Sequence, residues 1–98
     1  MSINLGAYHF ALAHNNLGIA LVPEGKNEEA ISHYKMAIKI NPDYALAHNN
    51  LGVALVAEGK NEEAISHYKM AIKLKPDFAA AQKNLETALR SMEIQDLF

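Results

Sequence analysis

The chain has 98 residues, enough for one small domain. Half of them are hydrophobic, so a modest core can form, and the absence of cysteine removes disulfides, thiolate metal sites and thiol nucleophiles. Nine basic residues against eleven acidic ones argue against non-specific nucleic-acid binding, which needs a clustered basic face.

The first ten residues, MSINLGAYHF, carry neither a basic n-region nor a long apolar h-region, so no signal peptide is expected. No apolar run approaches the ~20 residues that span a bilayer. A soluble cytoplasmic protein without membrane or nucleic-acid partners is the expectation. These ten residues read as a lead-in to the first helix.

From residue 11 one 34-residue unit is written twice. Ala11–Tyr44 and Ala45–Phe78 agree at 29 of 34 positions and differ as Ile19/Val53, Pro23/Ala57, Ile40/Leu74, Asn41/Lys75 and Tyr44/Phe78. A fixed period of this length marks a repeat architecture, in which each unit buries its apolar face against its neighbour.

Each unit reads as two helices. Ala11 to Val22 is apolar at Leu12, Ala13, Leu17, Ile19, Ala20, Leu21 and Val22, too densely for a helix covered on one side only. Gly25, and Gly59 in the second copy, ends it. Asn27 and Asn61 are expected to cap the next helix, with Glu28–Glu29 and Glu62–Glu63 in its first turn, where negative charge suits the dipole. Ala30, Ile31, Tyr34, Ala37 and Ile38 then recur at steps of three and four, an amphipathic stripe. Lys35, Lys39, Lys69 and Lys73 occupy the later turns. Asn41-Pro42-Asp43 stops the helix, because proline disfavours a helical conformation in the residue before it. Asp43 and Asp77 are expected to cap the helix after each stop.

The third element, 79–91, repeats the first helix at Ala79, Ala81, Asn84, Leu85, Ala88 and Leu89 but places Glu86 where Gly52 stood. A glycine beside a second helix permits close packing. Where no second helix comes next, that face meets water and a Glu is acceptable. This helix therefore reads as a terminal cap, with a tail over 92–98.

The marks Leu17-Gly18, Ala30, Tyr34, Ala37 and Pro42, and again Leu51-Gly52, Ala64, Tyr68, Ala71 and Pro76, resemble the tetratricopeptide repeat over about residues 7–91. Two departures are His14 and His48 at the family's usual Trp position, and Asn27 and Asn61 where an aromatic often stands. The resemblance implies an all-α fold, an antiparallel helix-pair solenoid with a right-handed superhelix whose first helices line a concave face. It also implies a binding scaffold, often for a peptide in the groove.

By that resemblance, Asn16, Asn50 and Asn84 form a row along the groove. A side-chain amide offers donor and acceptor together, so such a row can pair with a peptide backbone whatever its sequence. The row resembles the asparagine ladder of O-linked N-acetylglucosamine transferases; the alternative is bonding within the scaffold. Asn15 and Asn49 stand beside it. Leu12, Ile19, Val22, Leu46, Val53 and Val56 are expected at the groove or its rim, about half of them buried between helices and the rest in contact with a partner. Lys83 and Arg90 stand where the groove ends and can meet a carboxylate, although a solvated face explains them more simply. Family members that grip acidic chaperone tails carry Lys where this chain has Asn15 and Asn where it has Ile19. That clamp is largely missing here.

No metal or other cofactor is expected. His14 and His48 lie one repeat apart, as do His33 and His67, too far to share an ion, and no His–carboxylate set has helical chelating spacing. Packing at helix contacts is the simpler role, with an approach of His9 to His33 left open. No nucleophile–base pair, phosphate loop or metal box suggests an enzyme.

The leading expectation is a non-enzymatic scaffold that binds an extended or helical apolar segment of a protein or peptide partner. The alternative is a self-assembling repeat protein, domain-swapped or designed, without a separate ligand. Near-identical copies make helices exchangeable between chains, which favours a homo-oligomer. Pro23 removes a backbone donor from the last turn of the first helix, so the next turn is expected to differ from that of the second copy and to affect the oligomer balance.

Overall fold

Two antiparallel helical hairpins and a fifth helix stack side by side in the computed structural model, which describes residues 5–97. The helices are α1 (Leu5–Leu21), α2 (Asn27–Ile40), α3 (Ala45–Ala57), α4 (Asn61–Leu74) and α5 (Ala79–Asp96). No strand occurs among the described residues. The all-α helix-pair solenoid implied by the resemblance is therefore the observed fold.

Helix α1 starts well before Ala11, and α5 continues past Ser91. Met92 packs against the core from that extension, whereas Ile94 and Leu97 are exposed. The ends of the sequence, Met1–Asn4 and Phe98, lie outside the described residues.

Pro23 has the local effect expected of it. Helix α1 gives way to a 3₁₀ turn over Val22–Glu24, whereas α3 stays helical through Ala57. The rerouting stops there. Gly25 and Gly59 share a left-handed φ of 76°, and the Gly25 and Gly59 amides donate to Val22 and Val56 carbonyls at the same 2.9 Å. Glycine takes that conformation without the cost a Cβ would add.

The expected side-chain caps do not form. Asn27 and Asn61 are the first helical residues themselves, and Lys26 and Lys60 occupy the cap positions without a side-chain bond. The left-handed glycine leaves one residue before the helix begins, so the asparagine is already wound in. Likewise Tyr44 and Phe78, not Asp43 and Asp77, precede α3 and α5. Asp43 instead donates its amide to Asn41 Oδ1 at 3.3 Å, a turn bond.

The main core runs through the stack: Ala30, Ile31 and Tyr34 of α2, Leu51, Ala54 and Leu55 of α3, Ala64, Ile65 and Tyr68 of α4, and Ala88 of α5. Alanines at these crossings let the helices approach, while Leu51 and Leu55, both fully buried, supply bulk. Each such leucine contributes about 1.5–3 kcal/mol of burial. Gly18 and Gly52 sit against Tyr34 and Tyr68, and a Cβ at either glycine would overlap the tyrosine ring.

Candidate functional site

Consecutive residues on a helix point about 100° apart. Asn15-Asn16 and Asn49-Asn50 therefore cannot both face one groove, and the structure separates them. Asn15 is 0% exposed and Asn49 is 6% exposed. Asn50 Nδ2 donates to Asn15 Oδ1 at 3.0 Å, and Asn84 Nδ2 donates to Asn49 Oδ1 at 3.0 Å. One amide–amide bond thus ties α1 to α3 and a second ties α3 to α5. Asn15 and Asn49, expected at the ligand surface, are corrected to scaffold positions, because burial in the seam closes them to a ligand. Asn16 remains exposed.

The Asn15 amide carries an imperfection. Its Nδ2 is buried without a partner at hydrogen-bond geometry among the described residues. The Tyr44 hydroxyl still feels Asn15: burial raises the Tyr44 pKa, and the Asn15 amide pulls it partly back. In the second copy Phe78 replaces this tyrosine and offers no hydroxyl.

Two depressions open where neighbouring first helices meet. One, of about 210 Å³, is lined by Ile19, Val22, Pro23, Tyr34, Asn50 and Val53. The other, of about 180 Å³, is lined by Val53, Val56, Tyr68, Asn84, Thr87, Ala88 and Ser91. They are the same site one repeat apart, divided by Val53. Burial raises the pKa of Tyr34 and pushes that of Tyr68 up to about 12, so both hydroxyls stay protonated and the depressions stay neutral at ordinary pH.

Of the expected apolar contacts, Ile19, Val22, Val53 and Val56 line these depressions. Leu12 and Leu46 are exposed but line neither. Lys83 is exposed and stands one helical turn before Thr87, which lines the second depression, but Lys83 itself lines neither. Arg90 is engaged with Glu86 at 2.8 Å. Tyr34 and Tyr68 were legible as core aromatics, but that their rings also back the depressions was not. The glycine opposite each tyrosine was the available signal, because it draws the ring toward the first helix.

The histidines pair within each repeat, 19 residues apart: His14 Nδ1 meets His33 Nδ1 at 3.0 Å and His48 Nδ1 meets His67 Nδ1 at 3.1 Å. His9 is exposed, and His33 takes His14 instead. Among the described residues no group of three or more His, Asp or Glu is arranged to hold a metal. No described helix is long and apolar enough to cross a membrane.

Known proteins share this architecture. A TPR repeat profile matches residues 20–57, and a tetratricopeptide repeat profile matches residues 45–78. No curated protein matches the chain. Among solved structures, the second TPR of Spaghetti (RPAP3), bound to the HSP90 peptide SRMEEVD, is 27% identical with a TM-score of 0.85 over 91% of this chain and 82% of that one. MamA is 30% identical with a TM-score of 0.82 over 88% of this chain, which spans 47% of MamA. The Sgt2 TPR domain from Aspergillus fumigatus, 23% identical with a TM-score of 0.85 over 90% of this chain and 60% of that one, shares the fold. The period, the stacked hairpins and the two profile matches agree: the chain belongs to the tetratricopeptide repeat family, and its solenoid is a protein-interaction scaffold.

Proposed function

We propose that this scaffold is non-enzymatic and holds a peptide segment of a protein partner in the groove formed by α1, α3 and α5. The observation that carries the reading is the pair of repeat-related depressions, each with an asparagine at its edge and apolar walls. A groove of this kind takes apolar side chains while its amides meet the peptide backbone. The RPAP3 repeat in complex with SRMEEVD lends support by analogy of fold. The chemistry differs, because Asn15 and Ile19 supply no cationic clamp for an acidic tail. Replacing Asn16, Asn50 and Asn84 together by Ala is expected to weaken peptide binding in a titration while helicity by circular dichroism holds. Equal affinity would remove the amide row from the mechanism.

A second reading, self-association, rests on one comparison. Leu17 and Leu51 occupy the same repeat position, yet Leu17 is 48% exposed and Leu51 is 0% exposed. No described residue covers the α1 face that corresponds to the packed α3 face, which suits a second copy. Light scattering after size exclusion tests this. A mass that rises with concentration in wild type and not in Leu17→Lys supports it; a constant monomer mass rejects it.

A further inference from the structure

The two depressions share a wall, Val53, and lie between successive pairs of first helices, α1/α3 and α3/α5. Packed helices sit ~8–10 Å apart, so the two sites repeat at about that distance. A chain in the extended polyproline-II form advances about 3.1 Å per residue with three residues per turn, so positions i and i+3 lie on one face and cover about the same span, whereas the pleat of a β-strand would turn them to opposite faces. Each depression, at about 210 and 180 Å³, exceeds the ~150 Å³ cavity that admits benzene and so has room for one branched or aromatic side chain.

The amides choose between an extended and a helical ligand. Asn50 and Asn84 each spend an N–H on the buried asparagine behind them. Their side-chain oxygens carry no bond to another described residue, and both asparagines line the depressions. An acceptor there needs an unpaired backbone N–H. A helix has consumed its own, and an extended chain has not. The charge is also placed: Lys83 has no ion-pair partner among the described residues and stands one turn from Thr87 at the second depression, whereas Arg90 is held by Glu86.

We propose that the groove takes a peptide in the extended polyproline-II form with apolar side chains at i and i+3, the first between α1 and α3 and the second between α3 and α5, and then a carboxylate that meets Lys83. This ligand rests on the groove reading and makes it specific. The partner is thus an aliphatic or aromatic segment with a single acidic group at its end. A multiply acidic tail does not fit.

Fluorescence anisotropy of the full chain with labelled peptides tests it. The probes carry two leucines separated by one, two or three serines and end in Asp amide or in Asn amide, so that they differ by one carboxylate. The two-serine spacer is expected to bind about tenfold tighter or more than the other spacings, because misplacing one leucine forfeits its burial. Val53→Asp is expected to lose about as much. The gain from the terminal Asp is expected to vanish in Lys83→Ala. Circular dichroism checks each variant, and Val53→Ser replaces Val53→Asp if the latter fails to fold. Binding that is sensitive to Val53 but indifferent to spacing overturns the i,i+3 ligand and leaves the groove reading intact. Binding indifferent to Val53, or none at millimolar peptide, overturns both.

Discussion

His48 and His67 meet head-on. Their Nδ1 atoms are 3.1 Å apart and their ring centres 5.3 Å apart, so the separation of the centres exceeds that of the nitrogens by a full ring width. The rings therefore touch edge to edge, each nitrogen aimed along the line to the other. His48 Nε2–H donates to the Pro42 carbonyl at 3.0 Å, which leaves its Nδ1 as an acceptor and makes His67 Nδ1–H the donor. One proton lies between the two rings. A second would place two N–H groups against each other.

The pair predicts a pH dependence. Burial first, and the facing His48 second, hold the His67 imidazole below its usual 6.5; Glu63 pulls it up, and Lys35 pushes it further down. An unfolded His67 takes its proton near 6.5, and the folded one only at lower pH. Between those values the unfolded chain binds more protons, so stability falls as pH drops through the window and levels off below the folded value. Urea midpoints measured from about pH 7.5 to pH 5 should fall more in wild type than in His67→Gln. Parallel curves would reject this coupling.

Gly52→Ala should destabilise the fold despite alanine's better helix propensity. The gain is about 1 kcal/mol, but the new Cβ would overlap the Tyr68 ring. Overpacking of this kind costs about 1–3 kcal/mol. A lower urea midpoint in Gly52→Ala is expected, and recovery in Gly52→Ala/Tyr68→Leu would locate the clash at the ring.

Leu51→Ala and Leu17→Ala test the same repeat position in two settings. Leu51 is fully buried, so its truncation should cost about 2–5 kcal/mol. Leu17 is half-exposed and should cost about 1 kcal/mol or less. Chemical denaturation of both variants, compared at one concentration, reads the difference directly. Equal losses would mean that the α1 face is covered in solution.

Lys35 and Glu63 link the second helices of the two repeats at 3.5 Å, with both side chains substantially exposed. Screening and side-chain entropy limit such pairs to about 0–1 kcal/mol. Glu63→Gln should therefore leave the urea midpoint almost unchanged at moderate salt. A large drop would give this bridge a role in holding the repeats together that its exposure does not suggest.

The fold was legible because helices arise from local pattern. Ala30, Ile31, Tyr34, Ala37 and Ile38 at steps of three and four define a stripe, Pro42 and Gly25 punctuate it, and the repeat doubles the signal. The groove was only partly legible. Asn50 and Ile19, expected at the groove, line one depression, but a spelling of Asn-Asn does not say which amide turns into the seam. The histidine pairs were hidden for a related reason: the partners are 19 residues apart and meet only when two helices of one hairpin close.

Sequence alone determined the helices, their period, their hairpin pairing and the family. Tertiary structure decided what near-identical letters do. Leu17 and Leu51 differ in exposure, and Asn15 lies in the buried seam while Asn50 lines a depression, because burial depends on which neighbouring helix lies alongside. A repeat fixes local conformation through bonds within a few residues. It cannot fix surroundings, which each copy receives from its place in the stack.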